Sequence, residues 1–482
     1  MGNRYFLLSF LLLSIGLLVY MHLNIPVAAH WVDDLQDSQT LLPPVPTNDI
    51  AVMEPIRDIN DDKHTLPATS QFNYNDSLIP PRQLKNQRIQ PQVPSFAPEP
   101  SNDDQSEYMI GDVAVTVIFP ESNGNTDTSM EDWTTTRMDE CLDEIRAGLD
   151  WWEAQEPSGS LDFDIYTYYD ESTQYEPITR PYTDQELWIG EIMSGLGADP
   201  GSYFDQVEDL NNFVRDLYEV DWAFTIFVVD SLNDGDGKFT DDKFAYAYLG
   251  GPFTVMTYDN NGYGIANMDV VIAHESGHIF WATDEYTNPG EYSGYLNVLE
   301  NDDADCIMSG LVNWNLCTAT KEQIGWKDSD GDGILDPVDT IPNTTLVSYS
   351  PDPTNDNTPT YSGTVQDVPL VNNNPSVWNA GNDVTINTAT NVQYRIDGGT
   401  WQDTTSEDGA FDEVTEAFEF TTIPLSDGNH TIETRAQNSV GNWETSYSSD
   451  SIVVNSTNPT VTVVASDVAV YDGDVGADAF TV

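Results

Sequence analysis

The sequence predicts an α/β domain followed by an all-β region. Between residues 108 and 326, segments rich in β-branched residues alternate with segments whose apolar residues recur at helical spacing. From about residue 345 onward helical spacing disappears, and short alternating segments are separated by Asp-Gly turns. Strands that alternate with helices form a sheet covered by helices, whereas a run of short strands forms a sandwich or a barrel.

The α/β prediction rests on three strands and two helices in alternating order. The strands are predicted at 112–119, 161–169 and 223–229, and the helices at 130–154 and 203–217. The third strand is apolar throughout, which favours a central position in the sheet. An extended pair over 244–257, broken at Gly250-Gly251, then leads to a helix that begins near Asn267 or Asp269, both good N-cap residues.

Length and charge restrict the class of protein. A chain of 482 residues is long enough for two or three folded units. Its 81 acidic and 16 basic residues give a formal charge of −65, which argues against nucleic acid as a partner because the phosphates would be repelled. Such acidity fits calcium-loaded extracellular modules, a high-salt medium or simple solubility.

The N-terminal segment predicts export. Arg4 precedes an apolar run over 5–20, and small residues follow at 27–29. Residues 1–29 therefore form either a cleaved signal peptide or a membrane anchor, which makes the protein secreted or attached to the cell surface. Residues 30–107 are polar and rich in proline, as in a disordered linker or a propeptide.

The segment HESGHIFWATDEY, which begins at His274, predicts a metal site. His274 and His278 are four residues apart, so on a helix both imidazoles project from one face and can share an ion. Catalytic zinc uses three protein ligands and a water molecule, with a carboxylate nearby to accept the proton of that water. Glu275 is placed to be that general base.

A third zinc ligand is required, and two acidic residues compete for the role. The four remaining histidines are distant in sequence from this segment, whereas Asp284 and Glu285 follow His278 closely. An uninterrupted helix would carry Glu285 roughly 10 Å beyond His278, too far to share one ion. The chain must therefore reverse after about Phe280.

These residues resemble the metzincin clan of zinc peptidases, whose pattern is H-E-x-x-H-x-x-G-x-x-[H/D]. The pattern places Asp284 at the final position, with Glu285 as the fallback. Cys306-Ile307-Met308-Ser309 resembles the Met-turn of the clan, which sets a methionine, here Met308, beneath the metal. The resemblance covers residues 108–326 and departs from the pattern at Trp281, where the family usually has glycine.

The resemblance implies a zinc endopeptidase that hydrolyses peptide bonds in protein substrates. In the family a strand at the position of 244–257 borders the cleft, so a substrate peptide would add a strand to this edge. A tyrosine ligand often stands two residues after the methionine, but this chain has Gly310 there. Substitutes in principle are Tyr286, Tyr292 and Tyr295.

The three cysteines fit an exported protein. Cys306 and Cys317 flank the Met-turn and could form a disulfide. Cys141, on a predicted helix, has no evident partner and is expected to be a buried thiol.

A second metal pattern, DSDGDGILDPVD, predicts a calcium loop in the connector over 327–342. The ligand positions are occupied by Asp328, Asp330, Asp332, Asp336 and Asp339. Gly333 stands at the obligatory turn, and Pro337 prevents the exiting helix of an EF-hand. The segment therefore resembles a thrombospondin type 3 repeat. The acidic loop over 230–243 is a second candidate, either calcium-bound or a solvated turn.

The C-terminal region resembles bacterial immunoglobulin-like and fibronectin III-like sandwiches. The sandwich is predicted over 343–456, with a Y-x-x-D-G-x-x-W hairpin from Tyr394 to Trp401. Residues 457–482 begin with the same texture, as the incomplete start of a further β module.

Two other classes of protein compete with a secreted zinc endopeptidase. One is a catalytically inactive, peptidase-like protein of the cell surface that acts in adhesion or binding. The other is an extracellular structural protein in which the metal only staples the fold. A structural zinc is normally closed by a fourth protein ligand, so a coordinated water in its place would separate these cases.

Overall fold

The computed structural model describes residues 100–198, 200–285, 290–301, 303–309, 314–375 and 382–456, together with the backbone of 77–78. The predicted signal or anchor, almost all of the predicted linker, the predicted module over 457–482, and the residues Tyr286 and Gly310 lie outside these ranges. No helix in the described ranges is long and apolar enough to span a membrane.

The first half of the described chain is a mixed α/β domain, as predicted. Its strands are β1 (Ser77–Leu78), β2 (Asp112–Ser122), β3 (Asp162–Thr173), β4 (Trp222–Val229), β5 (Ala245–Tyr248), β6 (Phe253–Thr257), β7 (Tyr292–Ser293) and β8 (Val298–Leu299). Its helices are α1 (Thr135–Gln155), α2 (Gln185–Gly195), α3 (Tyr203–Tyr218), α4 (Met268–Ile279) and α5 (Thr318–Gln323).

The main sheet has the strand order β1-β5-β6-β4-β2-β3. Strands β3, β2, β4 and β6 are parallel to one another, and β5 runs antiparallel to β6. The short β1 then pairs in parallel with β5 at the outer edge. The apolar β4 is central and buried throughout, as its sequence predicts.

Helices cover both faces of the sheet. In β2, Val113, Val115 and Val117 pack into the hydrophobic cluster that contains residues of α1 and α4. Ala114 and Ile118 face the opposite way, into the cluster that contains residues of α2 and α3. Since successive side chains of a strand point to opposite faces, this apolar run produces three layers.

The predicted strands and helices are confirmed with shifts of a few residues at their ends, whereas α2 was not predicted. Trp188, Ile189, Ile192 and Met193 form its buried face. The helix directly follows two short 3-10 turns, at 177–179 and 182–184. Because the preceding residues form turns, the sequence shows no clear start for this helix.

The second half of the described chain is all-β, also as predicted. Its strands are β9 (Ile341–Leu346), β10 (Thr360–Val368), β11 (Ala389–Ile396), β12 (Gln402–Asp403), β13 (Thr405–Ser406), β14 (Thr415–Thr421), β15 (Gly428–Asn438) and β16 (Ser448–Val454). They form two four-stranded sheets, β13-β14-β10-β9 and β12-β11-β15-β16, which enclose one apolar cluster.

The connection between β10 and β11 packs against the α/β domain. Val384 is only 1% exposed and belongs to the same apolar cluster as α1 and α4. The hydroxyl of Tyr295 donates a hydrogen bond to the Leu370 carbonyl at 2.5 Å and accepts one from the Val384 N–H at 3.1 Å. The all-β region is thus joined to the α/β core by buried side chains.

Replacing Val384 by alanine should destabilise the α/β domain although Val384 lies in the all-β half of the chain. Loss of its buried apolar surface should lower the free energy of unfolding by about 2 kcal/mol. Val371→Ala is the matched control, because Val371 belongs to the same connection and is 57% exposed. Thermal unfolding is the measurement. Equal melting temperatures for the two variants would contradict this packing.

Candidate metal centre

Helix α4 is pressed closely against α1. A Cβ atom at Gly148 would lie 2.4 Å from the Asp269 carbonyl oxygen, so only glycine allows this approach. The Trp152 indole N–H donates to the Ala273 carbonyl at 2.8 Å. These contacts fix the position of the turn that carries His274, and every residue of α4 is buried.

Three of the predicted ligands converge at the end of this helix. Asp284 Oδ1 lies 3.5 Å from His274 Nε2 and 3.3 Å from His278 Nε2. Ligands bound at about 2.0–2.1 Å in a tetrahedral zinc site are about 3.3 Å apart. The three side chains therefore fit zinc in donor type and in spacing.

Backbone carbonyls orient both imidazoles. His274 Nδ1 lies 2.8 Å from the Ile307 carbonyl, and His278 Nδ1 lies 2.8 Å from the Ala282 carbonyl. These contacts place the ring proton on Nδ1 and leave the Nε2 lone pairs directed at Asp284. In the described part of the chain, His278 Nε2 is buried and forms no hydrogen bond. A metal ion would satisfy it.

The chain reverses after α4 through a Schellman motif. The Ala282 N–H donates to the Gly277 carbonyl at 2.9 Å, and the Trp281 N–H donates to the His278 carbonyl at 3.0 Å. Trp281 stands at the left-handed position, with φ of 74°. The reversal expected after Phe280 is therefore present, and it brings Asp284 back to the histidines.

Trp281 occupies the position at which the metzincin pattern has glycine. A left-handed conformation costs a residue with a side chain about 1–2 kcal/mol. The buried indole offsets this cost by packing on Gly250, where an added Cβ would lie 2.2 Å from the ring. The Gly250 N–H also donates to the His278 carbonyl at 2.9 Å. The turn between β5 and β6 is thus attached to the metal-binding helix.

Met308 lies against α4, as the resemblance to a Met-turn implies. Its Sδ atom lies 2.7 Å from the position of a Cβ atom at Gly277, so the glycine of HESGH makes room for the methionine. The Met308 carbonyl accepts the Glu285 N–H at 2.8 Å. The turn thereby holds the segment after Asp284.

Glu275 is fully buried on α4 next to His274, and both of its carboxylate oxygens are inaccessible to solvent. For Asp284, burial alone would raise the pKa of the carboxyl group. When they carry a positive charge, as Nε2 can in the absence of a metal, the neighbouring imidazoles of His278 and His274 outweigh burial and hold that pKa well below its ordinary value. Asp284 is therefore ionised, as a metal ligand must be.

Glu285 does not face the histidines, although it was the alternative third ligand. Its Oε1 lies 3.0 Å from Cys317 Sγ, and its Oε2 accepts the N–H groups of Asn301 and Asp303. Burial, and then the hydrogen bond with the Cys317 thiol, raise the pKa of Glu285 to about 7. The adjacent side chains of Asp284 and Glu285 therefore point to different groups, the histidines and Cys317 respectively.

The disulfide predicted between Cys306 and Cys317 is absent from the structure, where both are free thiols. Each sulfur lies 3.2 Å from the Thr320 hydroxyl instead. Cys141 is a buried free thiol, as predicted.

The candidate tyrosines do not complete the centre in the described structure. The Tyr295 hydroxyl is bound to Leu370 and Val384, and Tyr292 is 58% exposed in β7. Tyr286 lies outside the described residues.

The predicted calcium loop is partly assembled. Carboxylate oxygens of Asp328, Asp330 and Asp332 lie within 4.8 Å of one another. Asp336 instead accepts from Ser329, and Asp339 accepts the side-chain amide of Asn442. In the 230–243 loop, Asp230 forms an ion pair with Arg137, so this candidate ligand is already engaged.

Comparisons with known proteins add little to this geometry. No family model matches the chain, and no curated protein matches its sequence. Several solved structures are distantly similar. Wild-type OgpA from Akkermansia muciniphila is 12% identical over 72% of this chain and 94% of its own, with a TM-score of 0.24.

Two further solved structures match smaller regions. Fibronectin(III)-like modules of Clostridium thermocellum CbhA are 18% identical over 25% of this chain and 50% of their own, with a TM-score of 0.15. The sulfane dehydrogenase SoxCD from Paracoccus pantotrophus is 18% identical over 21% of this chain and 23% of its own, also with a TM-score of 0.15. Less than two thirds of either protein is therefore covered. TM-scores this low do not define a shared fold.

Replacing Gly277 by alanine should disturb the centre without altering a ligand. The new methyl group would overlap the end of the buried Met308 side chain. Displacing that side chain should offset the roughly 1 kcal/mol that alanine gains over glycine inside a helix, and should weaken zinc binding. Gly195→Ala is the control, because an added Cβ at this helical glycine meets nothing within 4 Å. Thermal unfolding and zinc titration are the measurements. Identical behaviour of the two variants would show that Met308 does not pack against the helix in this way.

Proposed function

We propose that this protein is an extracellular, zinc-dependent endopeptidase of metzincin type that acts on protein substrates. The observation that carries the proposal is the convergence of His274 Nε2, His278 Nε2 and Asp284 Oδ1 at 3.3–3.5 Å, with Glu275 adjacent on the helix. Bound zinc would supply Lewis-acid polarisation of a peptide carbonyl and acidification of a water molecule.

The number of ligands favours catalysis over a purely structural metal. Within the described ranges, this group of potential ligands contains three side chains. A structural zinc normally has four protein ligands, whereas a catalytic zinc has three and an open position. The buried Glu275 carboxylate would accept a proton from the attacking water and deliver it to the departing amine.

Zinc should be retained and peptide hydrolysis lost when Glu275 is replaced by glutamine. General base catalysis contributes about 10²–10⁴-fold to a rate, so kcat should fall by at least about 100-fold. Asp139→Asn, an exposed amide substitution on α1, is the matched control and should keep full activity. Peptide-library digestion and metal analysis are the measurements. A Glu275→Gln variant with wild-type activity would remove this residue from the mechanism.

The edge of the sheet at β5 is the proposed binding surface for the substrate backbone. β5 pairs with β6 on one side, and its turn is attached to the His278 carbonyl through Gly250. In the structure, the other side of β5 pairs with β1, with Ser77 opposite Ala247 and Leu78 opposite Tyr248. One edge cannot hold β1 and a substrate strand together, so β1 would compete with substrate.

A Leu78→Pro substitution should therefore lower the KM for peptide substrates and leave kcat unchanged. Proline lacks the backbone N–H that a strand residue can donate to its neighbour, which disfavours pairing of β1. Ser77→Thr preserves strand-forming backbone and serves as the control. The comparison is made by steady-state kinetics on the full chain. An unchanged KM would mean that β1 does not compete for the edge.

Calcium is proposed as a second cofactor at Asp328, Asp330 and Asp332. Oxygen ligands from alternating positions of a glycine-containing loop are typical of calcium sites. The loop lies between α5 and β9, so the ion would stiffen the connection between the α/β domain and the all-β region.

A further inference from the structure

Four buried atoms that could act as metal ligands form a cluster beside the candidate zinc centre. The atoms are Cys306 Sγ, Cys317 Sγ, Glu285 Oε1 and Thr320 Oγ1. None of these residues is more than 6% exposed. The two sulfurs and the carboxylate oxygen lie within 4.8 Å of one another.

The spacing of these atoms is that of ligands around one small cation. Cys317 Sγ is 3.0 Å from Glu285 Oε1, and Thr320 Oγ1 is 3.2 Å from each sulfur and 3.4 Å from the same carboxylate oxygen. In tetrahedral zinc sites, bonds of about 2.0 Å to oxygen and 2.3 Å to sulfur separate the ligands by about 3.3–3.7 Å. Small movements would bring all four atoms onto such an ion.

Backbone N–H groups already orient the charged ligand. Glu285 Oε2 accepts from Asn301 at 3.1 Å and from Asp303 at 3.0 Å, which turns Oε1 towards the sulfurs. Such outer contacts are the usual means by which proteins fix ligating carboxylates.

The sulfurs receive backbone N–H groups in the same way. The Cys317 N–H donates to Cys306 Sγ at 3.4 Å, and the Thr320 N–H donates to Cys317 Sγ at 3.3 Å. Hydrogen bonds to sulfur stabilise a thiolate, which is the form that binds metal.

We propose that Cys306, Cys317 and Glu285, with Thr320 as the fourth ligand, bind a second zinc ion with a structural role. Thiolate and carboxylate ligands in a closed tetrahedral arrangement suit zinc better than the oxygen-seeking calcium or magnesium. Binding releases the two thiol protons to solvent and forms two zinc–sulfur bonds.

The proposed ion would join three segments that support the catalytic centre. Glu285 directly follows Asp284, Cys306 precedes Met308 by two residues, and Cys317 caps α5 through its contact with Thr320. The Glu285 N–H already donates to the Met308 carbonyl. The second ion would lock this arrangement, independently of whether the first centre catalyses hydrolysis.

Metal analysis of the full chain, purified without chelator, tests the proposal. Wild-type protein should contain one more zinc ion per chain than Cys317→Ala, and Glu285→Gln, which keeps the side-chain shape, should lower the affinity of the same ion. Cys141→Ala is the matched control, since Cys141 is also a buried thiol but lies outside the cluster. Its zinc content should equal that of the wild type.

Cobalt substitution separates the two centres. A sulfur-to-cobalt charge-transfer band in the near ultraviolet should appear in wild-type protein and in His278→Ala, and should be lost in Cys317→Ala. The band reports only on the cysteine cluster, so it should appear even if the protein proves to have no peptidase activity. The proposal is overturned if Cys317→Ala leaves the zinc content and the spectrum unchanged. Thiol titration that finds Cys306 and Cys317 joined in a disulfide would overturn it too.

Discussion

The reversal of the chain at the end of α4 is the constraint on which the candidate centre depends. Two histidines at helical spacing supply only one side of a metal site, and a continuing helix would carry the next acids away. The Schellman motif at Trp281 turns the backbone within one residue, at φ of 74°. The local strain is offset by packing of the indole on Gly250. Asp284 consequently lies within 3.5 Å of both imidazoles.

The surrounding layers hold this geometry mainly through main-chain groups and through glycines that permit close contact. Carbonyls of Ile307 and Ala282 orient the imidazoles, and Gly277 admits Met308 beneath the helix. On the other side of α4, Gly148 allows α1 to approach, and the Trp152 indole bonds to the helix backbone. Both imidazoles are thus oriented by backbone groups rather than by flexible side chains, which restricts their motion.

Much of the fold and part of the site could be predicted from the sequence. Strand and helix positions follow from periodicity, and the spacing of His274 and His278, with the limit on helix length, narrowed the third ligand to Asp284 or Glu285. Other features depend on the tertiary structure. The direction of the Glu285 side chain, the separate thiols of Cys306 and Cys317, and the engagement of Asp339 with Asn442 arise from segments far apart in sequence. The glycine of HESGH, Gly277, is visible in the sequence. Its role became clear only from the structure, which shows that Met308 packs against it.

The hydroxyl of Tyr295 connects the all-β region to the chain segment next to the candidate metal centre. Tyr295 lies in the stretch of chain between Asp284 and Met308, and its hydroxyl is bonded to the backbone at Leu370 and Val384. This one side chain therefore restrains both the stretch after Asp284 and the connection between β10 and β11. A displacement of that connection would consequently shift the stretch that follows the third ligand, so the all-β region is coupled to the geometry of the candidate centre.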